Sequence, residues 1–272
     1  TGTHLVDTLL SQGVNIVRLF VPEHGLRGKV DAGKNVRSGV DEKTGLPIVS
    51  LYGQRKRPTP EMLADIDLLV FDLQDVGTRF YTYISSMHYL MEACAEEGKT
   101  FVVCDRPNPN DFIDGPILEP DCRSFIGVDP LPVAHGMTVG ELALMIDGER
   151  WLRGGNTCHV KVIPMAGWSH GDPYELPVRP SPNLPNSRSI ELYPSLCFFE
   201  ATIMSVGRGT SKPFQAIGYP DKRFGSIVYT PQIKIGEDSN PRHKGRLCYG
   251  TDYTSVSLPK RQIALGPLLD YY

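Results

Sequence analysis

The sequence predicts an α/β fold, with a doubly wound, Rossmann-like and mostly parallel sheet followed by a smaller α+β part. Short apolar strands alternate with amphipathic segments over roughly the first two thirds of the chain. Such alternation is typical of βαβ crossovers, which give parallel sheets covered by helices on both faces. A stretch with five prolines, from Pro173 to Asn186, then predicts an extended connector. We therefore expect two domains, 1–185 and 186–272.

Each predicted element has a local signal. Gly13 ends a short N-terminal helix, Thr59-Pro60 begins another, and the capping box of Thr138 and Glu141 begins a third. Gly98 ends a longer helix over Tyr83–Glu97. Alternating or continuous apolar runs predict the strands Val14–Val21, Pro47–Tyr52, Asp67–Asp72, Thr100–Cys104, Cys158–Ile163, Ser226–Tyr229, Gln232–Ile235 and Ser255–Leu258.

Composition excludes several classes of protein. The 28 Lys+Arg against 31 Asp+Glu give a formal net charge of -3, so no basic field favours nucleic acid as a partner. No apolar stretch approaches the roughly 20 residues that a membrane-spanning helix needs. The 6 Cys include no C-x-x-C pair, which argues against a zinc ribbon or a thioredoxin-type site and favours free thiols.

Polar side chains cluster after the predicted strands, at the sheet edge where α/β proteins bind ligands. The loops concerned begin at Pro22, Asp72, Asp105 and Pro132. Each side chain also has a structural interpretation, as a helix cap, a loop ion pair, a partner of loop carbonyls or a packing ring. The candidates in these loops are Glu23, His24, Asp72, Asp75, Arg79, Tyr81, Asp105, Arg106, Asn108 and His135.

Motifs of other enzyme classes are missing from the sequence. It contains no phosphate-binding G-x-x-x-x-G-K-[ST] loop and no H-E-x-x-H, which disfavours nucleotide enzymes and zinc hydrolases. Asp72 and Asp75 are three residues apart, one more than haloacid dehalogenase-type phosphatases use. A phosphate-ester hydrolase with Mg²⁺ therefore stays a weak alternative to carboxylate acid–base chemistry.

Seven motifs, in order, resemble those of the NamZ family of exo-β-N-acetylmuramidases, from the first strand to about Pro220. They are PEHGLRG, FDLQDVGTRFYTYI, DRPNP, HGMTVGE, PSPNLP, LYPSLCFFE and GRGT. The resemblance implies an enzyme without metal or cofactor that releases terminal N-acetylmuramic acid from the non-reducing end of peptidoglycan fragments. It implies a cleft between the two domains, a secreted or periplasmic location, and further sequence beyond both ends, including one N-terminal strand.

The resemblance also suggests roles for the candidates. Glycoside hydrolysis needs an acid and a second carboxylate, so we expect Glu23 as the acid, Asp72 or Asp75 as its partner, and His24 as an orienting group or alternative base. The lactyl carboxylate of muramic acid calls for a cation, the acetamido group for an amide, and the pyranose face for an aromatic ring. The expected substrate-binding residues are Arg79, Tyr81, Asp105, Arg106, Asn108, His135, Asn183, Glu200 and Arg208.

One departure from the family pattern follows Glu200. The chain reads Ala201-Thr202-Ile203 where the family pattern has Gly-Thr-Asn, so Ile203 removes a hydrogen-bonding side chain. This motivates an alternative hypothesis, a non-catalytic module that binds cell-wall saccharides.

Overall fold

Six α-helices and eleven strands form the parts of the chain that this computed structural model describes, residues 2–26 and 38–272. The helices are α1 (Leu5–Ser11), α2 (Pro60–Leu63), α3 (Tyr83–Glu96), α4 (Val139–Gly148), α5 (Ser187–Leu196) and α6 (Gly266–Asp270). The strands are β1 (Leu19–Val21), β2 (Gly39–Val40), β3 (Pro47–Ser50), β4 (Leu68–Phe71), β5 (Thr100–Cys104), β6 (Ile113–Asp114), β7 (Ala134–His135), β8 (His159–Ile163), β9 (Ala216–Tyr219), β10 (Ile227–Tyr229) and β11 (Cys248–Asp252).

Parallel strands build the N-terminal part, as predicted. One sheet has the order β4-β5-β8, with Phe71 opposite Val103 and Cys104 opposite Ile163. In a second sheet β1 pairs in parallel with β3, and the short β2 adds an antiparallel edge. Parallel strands end at the same edge of a sheet, so the loops that follow β4 and β5 are brought together. The molecule is thus a mixed α/β protein.

Helix α4 shows how local sequence and burial agree. Thr138 accepts a hydrogen bond from the backbone of Glu141, whose side chain accepts one from the backbone of Thr138, which confirms the predicted capping box. Leu142 and Ile146 recur at helical spacing and are fully buried. They belong to a hydrophobic core that also contains Phe101 of β5 and most of the buried face of α3.

A second hydrophobic core joins sequence-distant parts. It contains Val76 and Tyr83 from the N-terminal part, and Leu192, Phe214 and Ile217 from the C-terminal part. The C-terminal strands form an antiparallel sheet in the order β10-β11-β9. The predicted domain boundary at residue 185 therefore lies just before α5, and this second core contains residues from both sides of the boundary.

Several predicted elements are wrong in detail. Strand β1 begins at Leu19 rather than Val14, whose side chain is 44% exposed and lacks the burial that a central strand requires. The runs Gln232–Ile235 and Ser255–Leu258 are not strands. Ile235 is 93% exposed, and the chain turns around a bridge between Lys234 and Asp238 instead of joining a sheet.

Helix α5 was absent from the sequence prediction. Asn186 and Ser189 cap its first turn reciprocally, but Pro194 lies inside the helix and disguises the helical pattern. Within residues 2–26 and 38–272, no helix combines the length and apolarity needed to cross a membrane.

Candidate active site

Glu23 lies in the turn that directly follows β1, where the sequence predicted it. The N–H of Gly25 donates to the carbonyl of Pro22 at 3.2 Å and closes the turn. His24, within that turn, is 5% exposed and has a φ of 71°, in the left-handed region that costs a non-glycine residue about 1–2 kcal/mol. Strain of this kind is often concentrated at functional sites. The rest of the PEHGLRG motif, Arg27 and Gly28, lies outside the described residues.

Hydroxyl groups surround Glu23. Thr82 Oγ1 donates to Glu23 Oε2 at 3.0 Å, and the Tyr83 hydroxyl donates to the Glu23 carbonyl at 3.3 Å. The Tyr52 hydroxyl also hydrogen-bonds the Glu23 side chain, and burial together with the Glu23 charge raises the pKa of Tyr52. Thr82 occupies the N-cap position of α3 but makes no capping hydrogen bond there. Its hydroxyl is therefore committed to Glu23 rather than to the helix.

A cavity of about 640 Å³ opens beside Glu23. Every other residue that lines it comes from the C-terminal part of the chain, so the cavity lies where the two parts of the sequence meet. Two further carboxylates and two guanidinium groups face it. The lining residues are Glu23, Glu200, Met204, Ser205, Val206, Arg208, Asp238, Ser239, Asn240 and Arg242.

Glu200, which also lines this cavity, is held by several hydrogen bonds. Arg208 donates to Glu200 Oε1 from Nε at 2.9 Å and from Nη2 at 2.7 Å. The Cys197 thiol donates to Glu200 Oε2 at 3.3 Å. The Arg208 guanidinium in turn lies over the ring of Phe214, 5.0 Å from its centroid. Glu200 is thus an oriented carboxylate with a charged partner.

A smaller cavity, of about 50 Å³, adjoins the same two residues, Glu23 and Arg208. Aromatic rings supply much of its wall. Its lining residues are Glu23, His24, Phe80, Tyr81, Thr82, Ser181, Asn183, Leu184, Tyr193, Arg208 and Phe214. The site therefore has a large cavity and a small one whose wall combines aromatic rings with polar groups, and both are lined by Glu23.

The loops after β4 and β5 do meet, and their charged groups bind each other. Arg106 donates to Asp72 Oδ1 from Nε at 3.1 Å and from Nη2 at 2.5 Å. Arg79 donates to the carbonyls of Pro116 and Leu131. In the described parts of the chain, none of these three predicted site residues lines either cavity.

Asp75, Asn108 and His135 form a buried polar frame rather than a surface for ligands. His135 Nδ1 accepts from the N–H of Met137 at 3.3 Å, so its Nε2 carries the proton that is donated to Asp75 Oδ2 at 3.0 Å. Asn108 donates to the Met137 carbonyl at 3.0 Å. A Cβ on Gly77, whose φ is 78°, would lie 2.2 Å from Asn108 Oδ1, so the frame needs glycine there.

Asp105 has a capping role. Its Oδ1 accepts from the N–H of Gly140 at 2.8 Å and its Oδ2 accepts from the hydroxyl of Thr138 at 3.0 Å, at the start of α4. This carboxylate stabilises the N-terminal end of the helix.

Tyr81 and Asn183 line the small cavity but are largely committed elsewhere. Tyr81 is 6% exposed, and its hydroxyl donates to the Pro180 carbonyl at 2.8 Å. Its ring packs edge-on against Tyr83, with the centroids 4.9 Å apart. Asn183 donates from Nδ2 to the Glu237 carbonyl at 3.0 Å. In this structure the ring of Tyr81 therefore has no open face for the predicted stacking on a sugar.

Several residues at the site were not predicted from the sequence. Thr82 lies inside the FDLQDVGTRFYTYI motif but was not among the candidate residues. Tyr52, at the end of a predicted strand, contacts Glu23. Asp238, Asn240 and Arg242 lie in a loop without a motif, so that only the fold brings them to the cavity.

No metal centre is formed by the residues that the structure describes, since none of their His, Cys, Asp and Glu side chains group in threes that could hold an ion. Asp72 and Asp75, the pair of the phosphatase alternative, bind Arg106 and His135 respectively. The chemistry available at the large cavity is that of three carboxyl groups, Glu23, Glu200 and Asp238, beside hydroxyl and guanidinium donors.

The fold and site define an α/β protein with a carboxylate-lined cleft. The chain belongs to the NamZ family. The family model described as "Exo-beta-N-acetylmuramidase NamZ, N-terminal" matches residues 1–188, and the corresponding C-terminal model matches residues 191–265.

Relatives and solved structures agree with this assignment. The peptidoglycan beta-N-acetylmuramidase NamZ of Bacillus subtilis (strain 168) is 45% identical over 260 residues, which cover 87% of this chain and 60% of that protein. A crystal structure of a DUF1343 family protein from Bacteroides fragilis NCTC 9343 is 45% identical, has a TM-score of 0.91, and is matched over 100% of this chain and 74% of its own. A second such structure, from the same organism, is 35% identical with a TM-score of 0.77, over 94% and 70% of the two chains.

Proposed function

We propose that this chain is the catalytic part of a glycosidase that releases terminal N-acetylmuramic acid from the non-reducing end of peptidoglycan fragments. Its family membership and its similarity to the Bacillus subtilis peptidoglycan beta-N-acetylmuramidase support the substrate class. The observation that carries the proposal is that Glu23 and Glu200, far apart in sequence, line one cavity of about 640 Å³. Two carboxylates across a sugar-sized cleft are what glycoside hydrolysis requires.

Glu23 is the proposed general acid. Among the contacts of its carboxyl group are two neutral hydroxyl donors, Thr82 at 3.0 Å and Tyr52. After the acid has protonated the leaving oxygen, these hydroxyls and the N-terminal end of α3 stabilise the carboxylate that remains. His24, adjacent in the strained turn, fixes the backbone that carries Glu23.

Glu200 replaces Asp72 and Asp75 as the proposed second carboxylate. Arg208 and Cys197 fix both of its oxygens, which suits a group that directs water or stabilises positive charge on the sugar ring in the transition state. Asp72 and Asp75 hold the loops that frame the site.

The smaller cavity fits the acetamido methyl group of the sugar. Its volume of about 50 Å³ and its walls of Phe80, Tyr193 and Phe214 suit a small apolar substituent next to Glu23. Asn183, in the same wall, supplies an amide side chain for the proposed acetamido group.

We further propose that the parallel sheets belong to one Rossmann-like, doubly wound layer, with domains 1–185 and 186–272. Supporting this, Phe20 of β1 and Val49 of β3 pack against the same hydrophobic core as β4 and β5. A secreted or periplasmic location is proposed from the substrate alone, because peptidoglycan lies outside the cytoplasmic membrane.

The decisive experiment compares wild type with Glu23→Gln on a chromogenic β-N-acetylmuramide. We expect turnover to fall by about 10²- to 10⁴-fold, the usual contribution of a general acid, while the affinity for the sugar, measured by calorimetry, is kept. Glu97→Gln, at an exposed position after α3, is the matched control and should leave both quantities unchanged.

Two outcomes contradict the proposal. Full turnover by Glu23→Gln would remove Glu23 from the chemistry. Binding without turnover in wild type and variant alike would favour the saccharide-binding module. The departure from the family pattern at Ile203 gives the binding module little support, because Ile203 is 59% exposed and is not among the residues lining either cavity.

A further inference from the structure

Two arginines line the large cavity, and they differ in how many of their N–H groups already make hydrogen bonds. Arg208 directs Nε and Nη2 at Glu200 and lies over Phe214. Arg242 is exposed, and its only hydrogen bond among the described residues is a long one, 3.4 Å from Nη2 to the backbone carbonyl of Glu200. A guanidinium has five N–H donors, so most of the donors of Arg242 remain available at the cavity.

The segment that carries Arg242 contacts the 3-10 helix Cys197–Ala201, which contains Glu200, and the residues just after it. Asp238 Oδ1 accepts from the N–H of Asn240 at 2.9 Å and shapes the loop before Arg242. His243 binds the carbonyl of Ile203 through Nε2 at 2.6 Å. Arg242 and His243 thus hold the carbonyls of Glu200 and Ile203 together, and Arg242 is positioned at the rim beside the proposed second carboxylate.

The charge of the cavity makes this position selective. Glu23, Glu200 and Asp238 present three carboxyl groups to the cavity, and those that are ionised repel an anionic ligand. Arg208 is already paired with one of them. An anionic substituent therefore needs a further cation whose charge is uncommitted, and Arg242 is the residue among those described that lines the cavity and meets this need.

We propose that Arg242 is a specificity-determining residue that binds the carboxylate of a sugar's 3-O-lactyl substituent, an inference that rests on the proposed function. The arginines that the sequence suggested for this role are engaged elsewhere: Arg106 with Asp72, and Arg208 with Glu200. A guanidinium matches a carboxylate with two parallel hydrogen bonds, and the exposed position lets the substituent reach it from the open side of the cavity.

The test uses two sugars that differ only in the lactyl ether. Binding of N-acetylmuramic acid and of N-acetylglucosamine is measured by calorimetry for wild type, Arg242→Met and Arg242→Lys. We expect Arg242→Met to weaken binding of the acidic sugar about 10- to 100-fold, as for loss of hydrogen bonds to a charged group, and to leave the neutral sugar unchanged. Arg242→Lys should retain part of the preference, because the charge stays but the planar fork is lost.

Kinetics provide the second measurement. On a chromogenic β-N-acetylmuramide, Arg242→Met should raise KM with little change in kcat, since Arg242 contacts a substituent remote from the bond that breaks. Arg246→Met is the matched control, an exposed arginine of the same segment that does not line the cavity, and it should behave as wild type.

The possible failures are distinguishable. If wild type prefers the acidic sugar and Arg242→Met keeps the full preference, or if wild type shows no preference, the assignment of Arg242 is overturned. If wild type prefers the acidic sugar through Arg242 but turns over no substrate, the proposed hydrolysis is overturned while the carboxylate site stands.

Discussion

At the scale of single residues, Thr82 shows how the fold diverts an ordinary capping residue to the site. A threonine at an N-cap position normally satisfies the free N–H groups of the first helical turn. Here its hydroxyl donates instead to Glu23 Oε2 at 3.0 Å, and no capping bond is made. The residue therefore contributes to the orientation of Glu23 more than to the stability of α3.

Replacing Thr82 should separate these two contributions. For Thr82→Val we expect kcat on the chromogenic muramide to fall about 10-fold or more, because a hydrogen bond to a charged group contributes about 1.5–3 kcal/mol. The melting temperature should change little, since no cap is lost. Thr82→Ser, which keeps the hydroxyl, is the control and should retain most of the wild-type activity. A large fall in melting temperature with unchanged kcat would show a structural role instead.

The residue scale also shows what sequence could reveal about the site. Glu23 could be proposed from the sequence because a strand end is a place that the sequence marks. Glu200 could not be preferred as its partner from the sequence, because Asp72 and Asp75 satisfy the same rule, although the structure pairs them with Arg106 and His135. Which strand-end carboxylates face a cavity depends on contacts between loops, and the sequence contains no direct signal for those contacts.

At the scale of elements, α4 depends on a close approach to the loop after β5. Asp105 binds the N–H of Gly140 at 2.8 Å, and a Cβ at Gly140 would lie 2.7 Å from both Asp105 Cγ and Val162 Cγ1. The helix, the loop and β8 therefore fit together only with glycine at this position.

Gly140→Ala should consequently destabilise the protein, although alanine favours a helix. We expect a loss of about 1–3 kcal/mol in the free energy of unfolding, the usual cost of overpacking, measured by urea denaturation. Gly148→Ala, at the exposed end of the same helix with no atom within 4 Å of the added Cβ, is the matched control. It should be neutral or stabilising by up to about 1 kcal/mol. Equal urea midpoints for Gly140→Ala and wild type would contradict the packing described.

Sequence predicted elements well where burial and local signals coincide. Thr100–Cys104 and the capping box of α4 agree fully with prediction, because β5 is central and Thr138 has its partner three residues on. Prediction failed where tertiary structure decides. The apolar Gln232–Ile235 found no strand to pair with, and α5 was hidden by Pro194.

At the scale of the whole molecule, the site lies between two hydrophobic cores. Phe20, in β1 three residues before Glu23, packs on the first core, whereas Phe199, next to Glu200, belongs to the second. The separation of the two carboxylates is thus set by how the cores join rather than by any single loop. This explains why the sequence, which predicted each half from local patterns, did not pair Glu23 with Glu200.

A buried ion-pair network fastens α3 to a distant loop and contributes to the stability of the whole fold. His88, which is 3% exposed, contacts Asp129 through Nδ1 at 2.8 Å and Glu92 through Nε2 at 3.2 Å. Burial by itself lowers the pKa of His88, but hydrogen bonds and charge from Asp129 and Glu92 outweigh it and raise the pKa from 6.5 to about 9.

The free energy of unfolding should therefore decrease as the pH rises from about 6.5 to about 9. Below this range His88 is protonated in both the folded and unfolded states and its contribution is fully present; above it the contribution, about 3 kcal/mol, is lost. Urea denaturation at pH 6, 7, 8 and 9 measures the slope. His88→Gln, which keeps a polar side chain but does not titrate, should flatten it. A wild-type free energy that is constant across this range, or an equal slope in the variant, would contradict the assignment.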